Sequence, residues 1–143
     1  MKQVLMMGMA LFMLLGSFAC NAQTTKQTEE TKVSAADKVE VFYFHFSRRC
    51  FTCNAVEKET KIALEALYPK QMEAGTVTFT EVNLDEEGSK VLAQKHKASG
   101  QGLLVIKGDQ RIDLTSQGFM NARNPERLQQ EIKKAIDPLL ASK

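Results

Sequence analysis

The sequence has no excess of either charge. Nineteen lysines and arginines stand against seventeen aspartates and glutamates over 143 residues, a formal +2. That balance gives no electrostatic case for a nucleic-acid partner, which needs a concentrated basic face. Cysteines are few: of three, only Cys50 and Cys53 are closely spaced. This excludes a small scaffold stapled by several disulfides but leaves room for one reactive pair. No apolar run is long enough for a comfortable membrane span: the run from Val4 to Gly16 has thirteen residues, where a span takes about 20. With 43% hydrophobic and 25% charged residues, the chain is neither a disordered tail nor a multi-span membrane protein. Phosphate-binding glycine loops, dinucleotide fingerprints and serine-nucleophile elbows are missing too. The length predicts one domain.

What is present begins with an address. Five of the seven methionines fall in the first thirteen residues, Lys2 supplies a positive start, and Gly16 and Ser17 follow the apolar run. This is the anatomy of a secretory signal peptide over residues 1–19, rather than a buried helix, since no polar face breaks the run. Ser17 and Ala19 are small residues suited to an ordinary cut before Cys20. Ala19-Cys20 also resembles the bacterial lipobox, in which the cysteine becomes the lipid-modified terminus. The fit is imperfect, because Ser17 stands where an aliphatic residue is usual; the plainer reading of Cys20 is a spectator beside the cut. Residues 20–37 are polar and read as a flexible tether. A tether that starts at a cysteine suits an anchored protein. The folded domain is expected over residues 38–143, outside the cytosol, with ~60–65% of its unfolded surface buried, enough for one modest core.

Val39 to Phe46 is β-branched and aromatic, a strand buried on both faces. Cys50 to Leu67 carries apolar residues at helical spacing, with Glu57 and Lys61 one turn apart on the polar side, and Pro69 ends it. Thr76 to Leu84 alternates as a second strand. Asp85 to Lys97 reads as a helix with Asp85 as its cap. Gly102 to Lys107 and Gln110 to Leu114 form a hairpin about Gly108-Asp109. Asn124-Pro125 starts a last helix, which Pro138 stops or kinks. The order β-α-β-α-β-β-α predicts an α/β fold with a four-stranded mixed sheet, its first two strands parallel, and helices on both faces.

The chemistry falls at the first strand-to-helix junction, in Cys50-Phe51-Thr52-Cys53. A thiolate at Cys50 would sit among the unpaired N–H groups of a helix start. Cys53 returns to the same side one turn on. Cys50 is then the exposed attacking thiol and Cys53 the shielded resolving one. Arg48 or Arg49 could lower the Cys50 pKa further. Half a zinc site is the rival reading, but zinc takes four ligands and there is no second pair. His45 is more often a core residue with a satisfied hydrogen bond. A purely structural disulfide is unattractive, since so short a loop constrains the unfolded chain little.

The segments FYFHFSRRCFTCNAVEKE, TFTEVNLDEE and LLVIKGDQRI together resemble the thioredoxin-like superfamily, over roughly Val39 to Leu140. The resemblance implies a thioredoxin core without the extra N-terminal strand and helix. It also implies thiol–disulfide exchange with Cys50 as nucleophile and Cys53 as resolving thiol. Three departures stand out. The family's Trp-Cys-Gly-Pro-Cys is replaced by Arg49, Phe51 and Thr52 around the cysteines. Its buried strand acid falls on Phe44. Its cis-proline falls on Gly100, Gln101 and Gly102, so backbone pairing with a substrate can survive at Gly102 while the thiolates lose steric cover.

Glu81 shares a face with Val77 and Phe79. A carboxylate partly buried there, near Cys53, could take the resolving thiol's proton; the alternative is an exposed acid at a strand end. Glu57, Lys58, Glu59 and Lys61 read as a solvated helix face, and Phe119-Met120 as packing.

The expected function is an exported, lipid-tethered thiol-disulfide oxidoreductase needing no cofactor and no metal. Its partners would be an envelope protein carrying a disulfide or dithiol and a membrane redox partner. The alternatives are a thiol carrier for a soft metal or metalloid, which the opened rim would admit, and a non-catalytic interaction module.

Overall fold

A computed structural model describes residues 37–142. The signal segment, Cys20 and nearly all of the tether lie outside the described residues. The described residues form four strands, β1 (Val39–His45), β2 (Val77–Asn83), β3 (Gly102–Lys107) and β4 (Gln110–Asp113), and five helices, α1 (Phe51–Leu67), α2 (Pro69–Glu73), α3 (Ser89–Lys95), α4 (Thr115–Asn121) and α5 (Pro125–Ala141), in the order β1-α1-α2-β2-α3-β3-β4-α4-α5. The sheet order is β2-β1-β3-β4. β1 runs parallel to β2, with Val39 opposite Val77 and Tyr43 opposite Glu81. It runs antiparallel to β3, with Tyr43 opposite Leu103, and β3 is antiparallel to β4. The mixed α/β sheet expected from the sequence is present.

β1 is central, so its apolar residues serve two cores, as a near-continuous apolar strand must. Val39, Val41 and Tyr43 face a large cluster that takes in Val56 and Leu64 of α1 and Leu128, Ile132 and Ile136 of α5. Phe42 and Phe44 face the other side, with Val82, Leu104, Ile106 and Ala93 of α3. Helices therefore cover both faces, unequally.

Three local expectations are corrected. The third helix does not start at Asp85. It starts after Gly88 with no side-chain cap, because the Asp85 carboxylate accepts the backbone N–H of Ser47 at 2.7 Å instead. Pro138 does not stop the last helix, which continues to Ala141; Lys107 donates to the Leu139 carbonyl near its end at 2.7 Å, as a cation there should. The short helices α2 and α4 were not expected at all. Asn124 caps α5 as expected, accepting from the Arg127 N–H at 3.1 Å.

His96, at the end of α3, is only 6% exposed. Its ring stacks on Phe42 at 4.6 Å, and Nε2 has no hydrogen-bond partner among the described residues. Burial pushes its pKa below the ordinary 6.5, with Lys95 and Arg111 adding to the fall and Glu40 opposing it. Between the lowered value and 6.5 the unfolded chain holds more protons than the folded one. Stability from this site is therefore complete above about pH 6.5 and is lost as the pH falls through the folded value. The urea midpoint should drop on acidification through that window, and His96→Phe should remove that part of the slope. A slope unchanged by the substitution would refute the assignment.

Candidate functional site

The junction between β1 and α1 is built by cap chemistry. Cys50 is the residue before the first turn of α1. Its backbone is extended at φ −78° and ψ 166°, and its sulfur accepts the Cys53 N–H at 3.2 Å. A sulfur so placed meets free N–H groups and the positive end of a seventeen-residue helix, and the first turn holds no acid to oppose a thiolate. One turn on, Cys53 lies on the buried side of α1. Cys50 is exposed while Cys53 is 3% exposed. The two are joined as a disulfide with Cα atoms 5.1 Å apart, within the usual span. Cys50 is thus the open member of the pair and Cys53 the covered one.

Cys53 is held from beneath. The Tyr43 hydroxyl donates to the Cys53 carbonyl at 2.8 Å. Burial raises the pKa of that phenol and Arg49 pulls it back, so it stays a donor near neutrality. Across the rim, the Cys53 sulfur is 3.6 Å from Gln101 Oε1. A disulfide sulfur has no proton to give, so this contact becomes an S–H···O bond only once the pair is reduced. Gln101 is thus brought to the pair.

Gly102 sits beside it at the start of β3, opposite Phe44. A Cβ there would meet Thr115 Oγ1 at 2.6 Å, and that oxygen already accepts the Leu103 N–H at 3.1 Å. Close approach of α4 to the strand is what requires the glycine. Gln101 and Gly102 are thus the part of that segment brought to the site, while Phe44, where the resemblance would have put an acid, belongs to the core on the other face of the sheet.

The two charged candidates are placed differently from the expectation. Arg49 does not lie free beside Cys50: its guanidinium pairs with Glu57 and reaches His45 Nε2 at 3.0 Å. The Glu81 carboxylate pairs with Lys61 of α1, which also holds Glu57 at 3.2 Å. Glu57 is the residue missed. It was assigned to a solvated face, yet its side chain is only 15% exposed. Its position four residues after Cys53, on the same helix face, was the available signal.

Two cavities flank the pair. One, of about 370 Å³, is polar and opens beside Gln101, Gly102 and Thr115. The other, of about 350 Å³, lies between the start of α1 and the α4–α5 turn, lined by Phe51, Ala55, Ala122 and Pro125. Phe51, within the cysteine motif, is 74% exposed, and Arg123 lies 5.7 Å over its ring. Among the described residues, no group of three or more His, Cys, Asp or Glu side chains is placed to hold a metal.

No protein-family model matches the chain, and no curated protein does. A solved structure described as "Structure of a malarial protein" is similar at 18% identity and a TM-score of 0.40, over 60% of this chain and 93% of that one. A likeness that slight bears on neither fold nor function.

Proposed function

We propose that the chain is an exported thiol–disulfide oxidoreductase with a thioredoxin-like fold, acting on the thiols of cell-envelope proteins. The observation that carries this reading is the exposed Cys50 at a helix N-cap, bonded through its sulfur to the buried Cys53. The strand order, with one parallel pair followed by an antiparallel hairpin, supports the thioredoxin-like assignment. The signal-like segment at 1–19 and Cys20 support export and a lipid tether. Cys20→Ser should release the protein from the membrane fraction if Cys20 carries the lipid.

The reaction conserves atoms and electrons. In the reducing direction, the Cys50 thiolate attacks one sulfur of a client disulfide. A bond forms between the two sulfurs and the client's second sulfur leaves as a thiolate. Loss of its proton makes Cys53 the next nucleophile. It attacks Cys50, closes the Cys50–Cys53 disulfide and expels the client's first sulfur. Two electrons have passed from the pair to the client, and each released thiolate takes a proton from solvent. A dithiol partner at the membrane returns the electron pair by the same two steps. In the oxidising direction every step reverses. Gln101 would accept the Cys53 proton's hydrogen bond in the resting dithiol. The Phe51 rim and the backbone of Gly102 would carry the client segment next to its cysteine.

The test is a redox titration of the full chain in glutathione buffers, read by alkylation and mass on the peptide containing both cysteines. The expected result is a reversible two-electron transition between about −120 and −270 mV, the span of known exchange proteins. A pair that glutathione neither opens nor closes would sink the proposal.

A further inference from the structure

Arg49 directly precedes Cys50, and a guanidinium there has the reach to lie over the Cys50 thiolate. Its guanidinium is held instead at Glu57, seven residues along α1 from its cap Cys50, about 10 Å of helix rise. One nitrogen pairs with Glu57 and another lies 3.0 Å from His45 Nε2. A guanidinium only donates, so Nε2 accepts. The ring's proton is then on Nδ1, which is 3.1 Å from the Phe46 carbonyl, and both nitrogens of a buried imidazole are used. Glu57 is gripped in turn by Lys61, which bridges to Glu81. The guanidinium acts on the Tyr43 phenol, whose hydroxyl holds the Cys53 carbonyl. Arg49 is therefore fixed from two sides, by a carboxylate of α1 and an imidazole of β1.

We propose that Glu57 is a positioning residue for the redox pair: by holding Arg49 against His45, it withholds a cation from Cys50 and keeps the pair more reducing than its motif alone would be. This rests on the exchange reading above. A free guanidinium beside Cys50 would stabilise the thiolate that the helix N-terminus already favours. Stabilising the reduced form makes a pair more oxidising. The equilibrium at issue is the disulfide plus two glutathione thiols, giving the dithiol plus oxidised glutathione, with two electrons transferred and protons conserved.

The test uses the full chain and four variants: Glu57→Gln, Glu57→Asp, Arg49→Gln and the double Arg49→Gln, Glu57→Gln. Two quantities are read on the peptide containing both cysteines. One is the dithiol fraction in glutathione buffer. The other, in a Cys53→Ser background, is the pH midpoint of Cys50 alkylation. Glu57→Gln is expected to move the glutathione equilibrium about tenfold toward dithiol, about 30 mV for two electrons, and to lower the alkylation midpoint. Glu57→Asp, which keeps the charge but shortens the reach to Arg49, is expected to shift both the same way by less, and serves alone if Glu57→Gln does not fold. The double variant should match Arg49→Gln within about twofold, since with no guanidinium there is nothing left to hold. Unchanged values in both Glu57 variants would overturn the proposal. So would a shift that persists in the Arg49→Gln background, which would belong to the carboxylate's own field. If the unaltered chain forms no reversible disulfide, the exchange reading fails, and the alkylation midpoints still decide the role of Glu57.

Discussion

Cys53→Ser should convert the protein into a trap. With the resolving thiol gone, attack by Cys50 on a client stops at the mixed disulfide, and covalent adducts should accumulate in cells quenched with acid and run without reductant. Cys50→Ser should give no adducts and reduce exchange to the uncatalysed rate. The asymmetry follows from burial: Cys53 keeps its thiol in that variant but is only 3% exposed, so no client disulfide reaches it. Both variants should stay folded. A disulfide closing four residues restricts the unfolded chain little, so its loss removes chemistry without removing structure. Absence of adducts from Cys53→Ser would end the exchange assignment. If the double serine variant restored full function to cells lacking the protein, the cysteines would be incidental to a binding module.

The succession of elements, the parallel first pair and the final hairpin were legible because the signals were long and periodic; the antiparallel pairing of β1 with β3 was not among them. Val39 to Phe46 reads as a strand buried on both faces, and Val39–His45 is one, since β1 has a strand on each side and a core on each face. Asn124-Pro125 reads as a helix start because the cap and the fixed φ of proline act locally. Elements whose identity depends on distant partners were not legible. Asp85 is as good a cap as Asn124 by local chemistry, but its carboxylate is taken by the Ser47 N–H thirty-eight residues away. The five residues of α2 and seven of α4 are too few to show a helical period.

The site divides in the same way. The two cysteines announce themselves by spacing, and the helix that sets one out and one in follows from the period of Val56, Ala63 and Leu67. Glu57 and Lys61 form an i,i+4 pair whether they stand in water or beneath a redox turn. Only the fold brings His45 and Arg49 against that pair, and only the register of β2 against β1 brings Glu81 to Lys61. Gln101 gave no pattern of its own; it was named because of what it replaces in the resemblance, and the contact at 3.6 Å places it at the pair.

Adjacent residues of β3 provide a large effect that separates the two cores. Leu103 and Leu104 are 0% and 2% exposed and point to opposite faces. Leu103 lies in the cluster shared by α1 and α5. α4 is pressed so close to it that a Cβ on Gly118 would meet Leu103 Cδ2 at 3.5 Å and Val56 Cγ1 at 3.3 Å. Walls made by two seventeen-residue helices and a glycine contact have little freedom to close over a void. Leu104 faces the seven-residue α3 and lines the open cavity beside Gln101, where neighbours can shift and water can enter. Leu103→Ala should therefore cost about 4–5 kcal/mol and Leu104→Ala about 2–3, the upper and lower parts of the range for such truncations. Urea midpoints at an unchanged slope would measure both. Equal costs, or the reverse order, would mean that α3 packs as firmly as α1. The expected order has a functional reading: the firm face carries Cys53 and the charge network behind it, while the yielding face lies beneath the rim where a client segment would have to settle.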